Sequence, residues 1–190
     1  MVSTLMNALA DAPQLVVLTG LLMVAAWIDI RHHKVPNLLV LVGLGFVIAF
    51  HGLQPAVAHG NGWLAAASGC LVGFLSLFPL YLIRATGAGD VKLMAMVGAF
   101  VGPLGGFCSA LLTFAAGGVL AIGVLLWKRR LRRALCNVYH LTMVNALSAP
   151  AGHMDFTISG SDSTGKLPYA LAIAAGTLTY LAANAAGLIR

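Results

Sequence analysis

The chain has 190 residues, 60% hydrophobic and only 8% charged, with a mean hydropathy of +0.94. An ordinary soluble domain carries roughly 25% charged residues, so there is too little polar surface to coat a water-soluble globule, and lipid is the expected solvent for most of the chain. The formal net charge of +6 does not indicate nucleic acid, because the basic residues sit in short gaps between apolar runs without interleaved aromatics.

Polar and Gly/Pro interruptions mark off apolar runs at 14–30, 37–53, 63–83, 90–101, 104–127 and 167–189. The expected fold is all-α: one polytopic membrane domain over residues 1–190 with about six transmembrane helices. The run at 90–101 is shorter than the ~20 residues that normally cross a bilayer. Between it and the next run, Gly102-Pro103 reads as a tight turn or a kink. Residues 1–7 carry no basic residue, and the first apolar run reaches a basic loop instead of a small-residue cleavage site. A retained membrane helix is therefore expected there, not a cleaved signal.

Charge placement orients the runs. If the loop Arg31-His-His-Lys34 is cytosolic, alternation makes 84–92 and 128–166 cytosolic as well. Every Lys and Arg except Arg190 then lies inside, and the outer segments, including 51–62, carry none. Both termini come out outside. The longest cytosolic piece opens with Lys128-Arg-Arg-Leu-Arg-Arg133, and Leu131, Leu135, Val138 and Leu141 follow at roughly helical spacing. An amphipathic helix on anionic headgroups is expected, serving chiefly as a topology anchor, with a flexible loop at 149–165. Gly69-xxx-Gly73 and Gly98-xxx-Gly102 allow close helix approach. Cys70, Cys108 and Cys136 are far apart without CxxC pairing, so neither a disulfide nor a zinc framework follows.

The chain has no glutamate and five aspartates. Asp11 lies before the first helix and Asp155 and Asp162 in the polar loop, where they need only solvation, whereas Asp29 and Asp90 are attached to apolar helices at their cytosolic ends. A charge at the centre of a membrane helix costs ~2.5–3.5 kcal/mol, and less toward the interface, so a carboxylate kept there is a functional candidate. Asp29 ends a helix running inward and Asp90 begins one running outward, which puts both at one membrane depth. Two apposed carboxyls do not both ionise easily and share a proton. One can then take a proton from water while the other activates a carbonyl, with no metal or cofactor required. Such a pair titrates as a unit, so neither role is assigned to one aspartate. The bland alternative is a set of interfacial ion pairs, Asp29 with Arg31 or Lys34 and Asp90 with Lys92 or Arg84.

Asp90 stands in Gly87-Ala-Gly-Asp-Val-Lys-Leu-Met-Ala95, where Gly87 and Gly89 permit a close approach by a bound peptide. An extended peptide could pair with the bare backbone there. Asp29 stands in Asp29-Ile-Arg-His-His-Lys-Val-Pro-Asn37, where Pro36 suits a helix start.

These two segments resemble the type IV prepilin peptidase family, within the intramembrane aspartic proteases that carry Gly-x-Gly-Asp. The family pattern is an aspartate, basic residues and Ile-Pro-Asn, followed later by Gly-x-Gly-Asp-x-Lys. Here Val35 replaces Ile, and Pro36, Asn37, Gly87, Gly89, Asp90 and Lys92 match. Lys166-Leu-Pro-Tyr-Ala-Leu resembles the start of the family's last helix, with Ala170 where Gly is usual. The resemblance implies that Asp29 and Asp90 cleave the leader from a prepilin or pseudopilin precursor at the cytosolic face of a bacterial inner membrane. It also implies substrate or backbone support from Gly87, Gly89, Lys92, Pro36 and Asn37. Larger members carry a domain with paired CxxC motifs and N-methylate the product. Such motifs are absent from this sequence, which resembles the short, peptidase-only form serving Flp-type pili. The expected partners are the precursor peptide, membrane lipids and pilus or secretion assembly proteins; an archaeal preflagellin is an alternative substrate.

Other groups offer less. Adjacent His32 and His33 cannot easily face one metal, and no HExxH occurs. His51, His59, His140 and His153 fall in loops, and Ser68, Ser76 and Ser109 fall in apolar runs where a hydroxyl usually bonds its own helix. Two competing functions are a small transporter or proton channel and a non-catalytic assembly subunit. A transporter would place ionisable groups near the midplane, whereas both aspartates lie at one face.

Overall fold

The structure is a computed structural model that describes residues 13–32, 35–53, 62–83, 86–127 and 169–188. Regular structure among these residues is entirely helical: α1 Pro13–His32, α2 Asn37–Leu53, α3 Gly62–Leu82, α4 Ala88–Trp127 and α5 Tyr169–Ala185. Three stretches, Pro13–His32, Gly62–Leu82 and Ala88–Val124, are long and apolar enough to cross a membrane, while Asn37–Phe50 and Tyr169–Ala185 are shorter apolar helices. The chain is thus a helical membrane protein with three candidate spans. The expected basic segment at 128–166, the loop residues His33, Lys34 and Arg84, and both termini lie outside the described residues.

The helices are apolar on every face. Leu18, Leu22, Leu77, Leu93, Met94, Met96 and Ile173 are buried in the core, yet Met23, Leu38, Leu41, Leu64, Leu104 and Val119 are as apolar and point outward. Helices hydrophobic all round suit a lipid surround, and in water so much exposed apolar surface would drive association.

Small residues set the inner packing. A Cβ on Gly69 would collide with the Gly98 carbonyl oxygen, one on Gly98 with the Gly69 oxygen, and one on Gly73 with the Met94 oxygen. Both Gly-xxx-Gly pairs therefore line the contact of α3 with α4, as their spacing allows. Residues eight apart on a straight helix stand ~12 Å from each other, yet a Cβ on Gly106 would lie 3.1 Å from the Gly98 Cα. The chain must fold back between them. It does so at Gly102, whose φ of 79° and ψ of 179° are non-helical, just before Pro103. The 88–101 and 103–127 arms of α4 thus lie side by side, which selects the turn over the kink at Gly102-Pro103.

The second arm of α4 runs antiparallel to α5: Gly105 lies by the Tyr180 hydroxyl, Gly176 by Thr113, and Gly117 by Tyr169 and Ala172. On the other side α2 rests on the first arm, with Gly43 against Met96 and the Phe46 and Phe100 rings stacked at 5.9 Å. This arrangement collects the end of α1 and the starts of α2, α4 and α5 at one end of the bundle.

Candidate active site

Asp29 lies in the last turn of α1 and is 5% exposed; Asp90 is the third residue of α4 and is 9% exposed. Burial of two acids in a chain this poor in polar residues requires that each be held by something. The Ala170 backbone N–H, in the first turn of α5, donates to Asp29 Oδ2 at 3.0 Å. The Gly87 N–H donates to Asp90 Oδ2 at 3.1 Å. The second contact is half of a capping box, in which an acid at the third helical position reaches back to the residue before the helix. Gly87 has no side chain to return the bond. The two carboxyls lie within electrostatic reach of each other.

Neighbouring cations are engaged elsewhere. The Arg31 guanidinium stacks over the Trp27 ring at 4.7 Å, and Lys92 Nζ donates to Asn37 Oδ1 at 3.2 Å. Asp29 and Asp90 therefore meet backbone N–H groups, not Arg31 or Lys92, among the described residues.

The supporting residues converge on the same end. Pro36 accepts the Leu39 N–H through its carbonyl at 3.1 Å and so opens α2. Asn37 and Lys92 tie the start of α2 to that of α4. A Cβ on Gly89 would come within 3.1 Å of Val35 Cβ, so that glycine lets the connection after α1 settle against α4. Gly87 accepts the N–H groups of Asp90 and Val91 at 3.1 and 3.4 Å. Both polar groups of its backbone are thus taken up within the turn.

Three residues near the aspartates went unnoticed in the sequence. Ala170 acts through its backbone N–H, which no residue type signals. Tyr169 stands beside it, half-buried, with its hydroxyl near Gly117 and within electrostatic reach of Asp90. Thr86, just ahead of Gly87, buries a hydroxyl oxygen that has no hydrogen-bond partner.

Elsewhere the hydroxyls behave differently from one another. Ser68 and Ser76 bond carbonyls of their own helix, as expected, whereas the buried Ser109 hydroxyl has no partner. Cys70 and Cys108 are free thiols, and Cys136 lies outside the described residues.

Comparison with known proteins bears on this arrangement. Residues 16–122, more than half of the chain, match the profile of the Type IV leader peptidase family. A prepilin leader peptidase/N-methyltransferase of Bacillus subtilis (strain 168) is 33% identical over 87 residues, which are 46% of this chain and 34% of that protein. The match thus spans about a third of that relative's length. No solved structure matches the chain. The matched region takes in both buried aspartates and the segments around them, and the chain belongs to the Type IV leader peptidase family.

Proposed function

We propose that the protein is a membrane-embedded aspartic endopeptidase that removes the leader of type IV prepilins at the cytosolic membrane face. The observation that carries this is the state of the two acids. Both are buried at one end of the bundle, each on a backbone N–H, with Arg31 and Lys92 turned to other partners. This speaks against ion pairs of Asp29 with Arg31 and of Asp90 with Lys92; Lys34 and Arg84 lie outside the described residues.

In the proposed reaction one carboxylate takes a proton from water as the oxygen attacks the scissile carbonyl. The protonated partner donates to the carbonyl oxygen, giving a neutral tetrahedral adduct. Collapse of that adduct breaks the C–N bond, the amine leaves with a proton, and the pair returns to its shared-proton state. The step consumes one water per bond and needs no redox partner.

The finer features belong to the same proposal. Taken as two separate spans, the arms on either side of Gly102 support a count of about six with both termini outside. The charge bias supports a cytosolic aspartate end in a bacterial inner membrane. An Flp-type substrate and cleavage without N-methylation belong to the same proposal. The test is co-expression with a prepilin, followed on a gel. The wild-type chain is expected to convert the precursor band to the mature one, and Asp29→Asn and Asp90→Asn each to abolish conversion. Conversion surviving either change would falsify the catalytic pair and leave a channel or assembly subunit.

A further inference from the structure

The second arm of α4 outruns the other helices at the aspartate end. Gly117 lies by Tyr169 and Ala172, and Ala170 between them donates to Asp29, so Gly117 stands at the level of the site. Among the described residues the other helices end or begin there: α1 stops at His32 and α3 at Leu82, while α2 starts at Asn37 and α5 at Tyr169. α4 alone continues, helical from 118 to Trp127, a further ~15 Å at 1.5 Å per residue.

This extension passes the polar boundary of the bundle. Asp29, Arg31, Asn37, Asp90 and Lys92 all lie at the aspartate end, and the bond from Lys92 to Asn37 is exposed. Charged groups of this kind mark where the hydrocarbon stops. From that level α1 and α3, with 20 and 21 residues, already reach ~30 Å, the thickness of a bilayer core. Residues 118–127 nevertheless carry no charged, amide or hydroxyl side chain. Val119, Ile122 and Leu126 are 70%, 53% and 57% exposed, and their spacing of three and four puts them on one helix face. An apolar strip beyond the hydrocarbon calls for a cover.

Connectivity selects that cover. Residues 128–168 lie outside the described residues, but both of their attachment points are fixed. Trp127 is at the tip of the strip, and Tyr169 is at its foot against Gly117. A segment tethered at both ends has an effective concentration that a separate molecule rarely matches. Its sequence offers Leu131, Leu135, Val138 and Leu141, spaced to form one apolar edge of a helix.

We propose that the strip Val119, Ile122 and Leu126 is the docking surface for the chain's own segment 131–141, which packs antiparallel on it in place of the lipid headgroups. Leu131 then meets Leu126, Leu135 meets Ile122, and Val138 meets Val119. The contact does not rest on the peptidase function.

The experiment is disulfide cross-linking of the full-length chain in membranes, with Cys70, Cys108 and Cys136 replaced by Ala. One pair is Ile122→Cys with Leu135→Cys, and a second is Val119→Cys with Val138→Cys. The control keeps native Cys136 and adds Ile122→Cys; on a helix whose apolar edge faces the strip, position 136 falls on the far side. Mild oxidation is expected to link each test pair within one chain, with a yield at least about tenfold above the control. The linked peptide is identified from the monomer band of a non-reducing gel. If one test pair fails to accumulate, the other reads the same contact. Absence of a link in the test pairs overturns the inference, and so does a yield equal to the control. Links found only in a dimer band assign the strip to a second copy and overturn it. So does quenching of a fluorophore on Leu135→Cys by headgroup-labelled lipid, which returns the segment to the membrane surface.

Discussion

The Ala170 backbone N–H reaches Asp29 Oδ2 across 3.0 Å, joining residues 141 positions apart in the chain. The start of α5 thereby becomes a wall of the aspartate site, and the carboxyl of Asp29 is fixed by a helix to which it is not covalently near. Three contacts at this end of the bundle, Ala170 to Asp29, Gly87 to Asp90 and Lys92 to Asn37, each depend on a different helix start. The site is therefore a product of how four helix ends meet.

The Ala170 contact can be tested directly. Ala170→Pro deletes the N–H at a position in the first turn where proline is least harmful to a helix. A hydrogen bond to a charged group contributes ~1.5–3 kcal/mol, so prepilin cleavage is expected to fall by between about 10-fold and 150-fold. Ala170→Gly keeps the N–H and is expected to retain most activity. Equal losses in the two variants, measured by initial rate, would tie the effect to packing of the side chain.

The two aspartates should act as one unit. Each Asn substitution is expected to remove at least ~10²-fold of the rate, the usual scale for a general acid or base. The double variant should be no worse than either single one, because members of a catalytic unit are not additive. A chelator such as EDTA should leave the initial rate unchanged, since the proposed reaction moves its proton without a metal. A rate that falls on chelation and returns with added divalent ion contradicts that prediction.

Lys92 separates support from substrate handling. Its bond to Asn37 is exposed, and exposed polar contacts contribute under ~1 kcal/mol. Lys92→Gln is expected to leave the melting temperature in detergent close to wild type while lowering prepilin cleavage about tenfold. A large drop in melting temperature would instead make the α2–α4 tie structural.

Glycines divide by what faces them. Gly98→Ala drives a methyl into the Gly69 carbonyl, and overpacking against backbone is expected to cost at least ~1–3 kcal/mol. Gly102→Ala meets no atom within 4 Å but forces φ of +79°, a region essentially reserved for glycine, at ~1–3 kcal/mol. Gly20 has open space around it, and Gly20→Ala is expected to stabilise α1 by up to ~1 kcal/mol. Thermal unfolding in detergent ranks the three; a neutral Gly98→Ala would show that α3 and α4 can separate.

Much of the helix layout was legible because lipid makes a simple demand of sequence. A segment that crosses it must be apolar for its whole length, so the run at 37–53 coincides with α2 and that at 63–83 nearly with α3 at Gly62–Leu82. Gly102-Pro103 was legible as a break for the same local reason: a residue free to adopt positive φ, then one without an N–H. Asp29 and Asp90 stood out because ionised groups are rare in such runs. The inward faces were not legible. With lipid outside and side chains inside, both faces are apolar, and the periodicity that marks a core face in water disappears.

The sequence by itself determined a lipid-embedded helical chain, two acids on helix ends and the family pattern around them, because composition and local chemistry carry that information. Only the tertiary structure decided that α4 doubles back, that Ala170 and Gly87 hold the two carboxyls, and that Arg31 and Lys92 turn to Trp27 and Asn37. Those outcomes rest on backbone donors and on steric fit between distant helices. A backbone N–H is the same group in every residue but proline, so which one meets an acid is settled by packing alone.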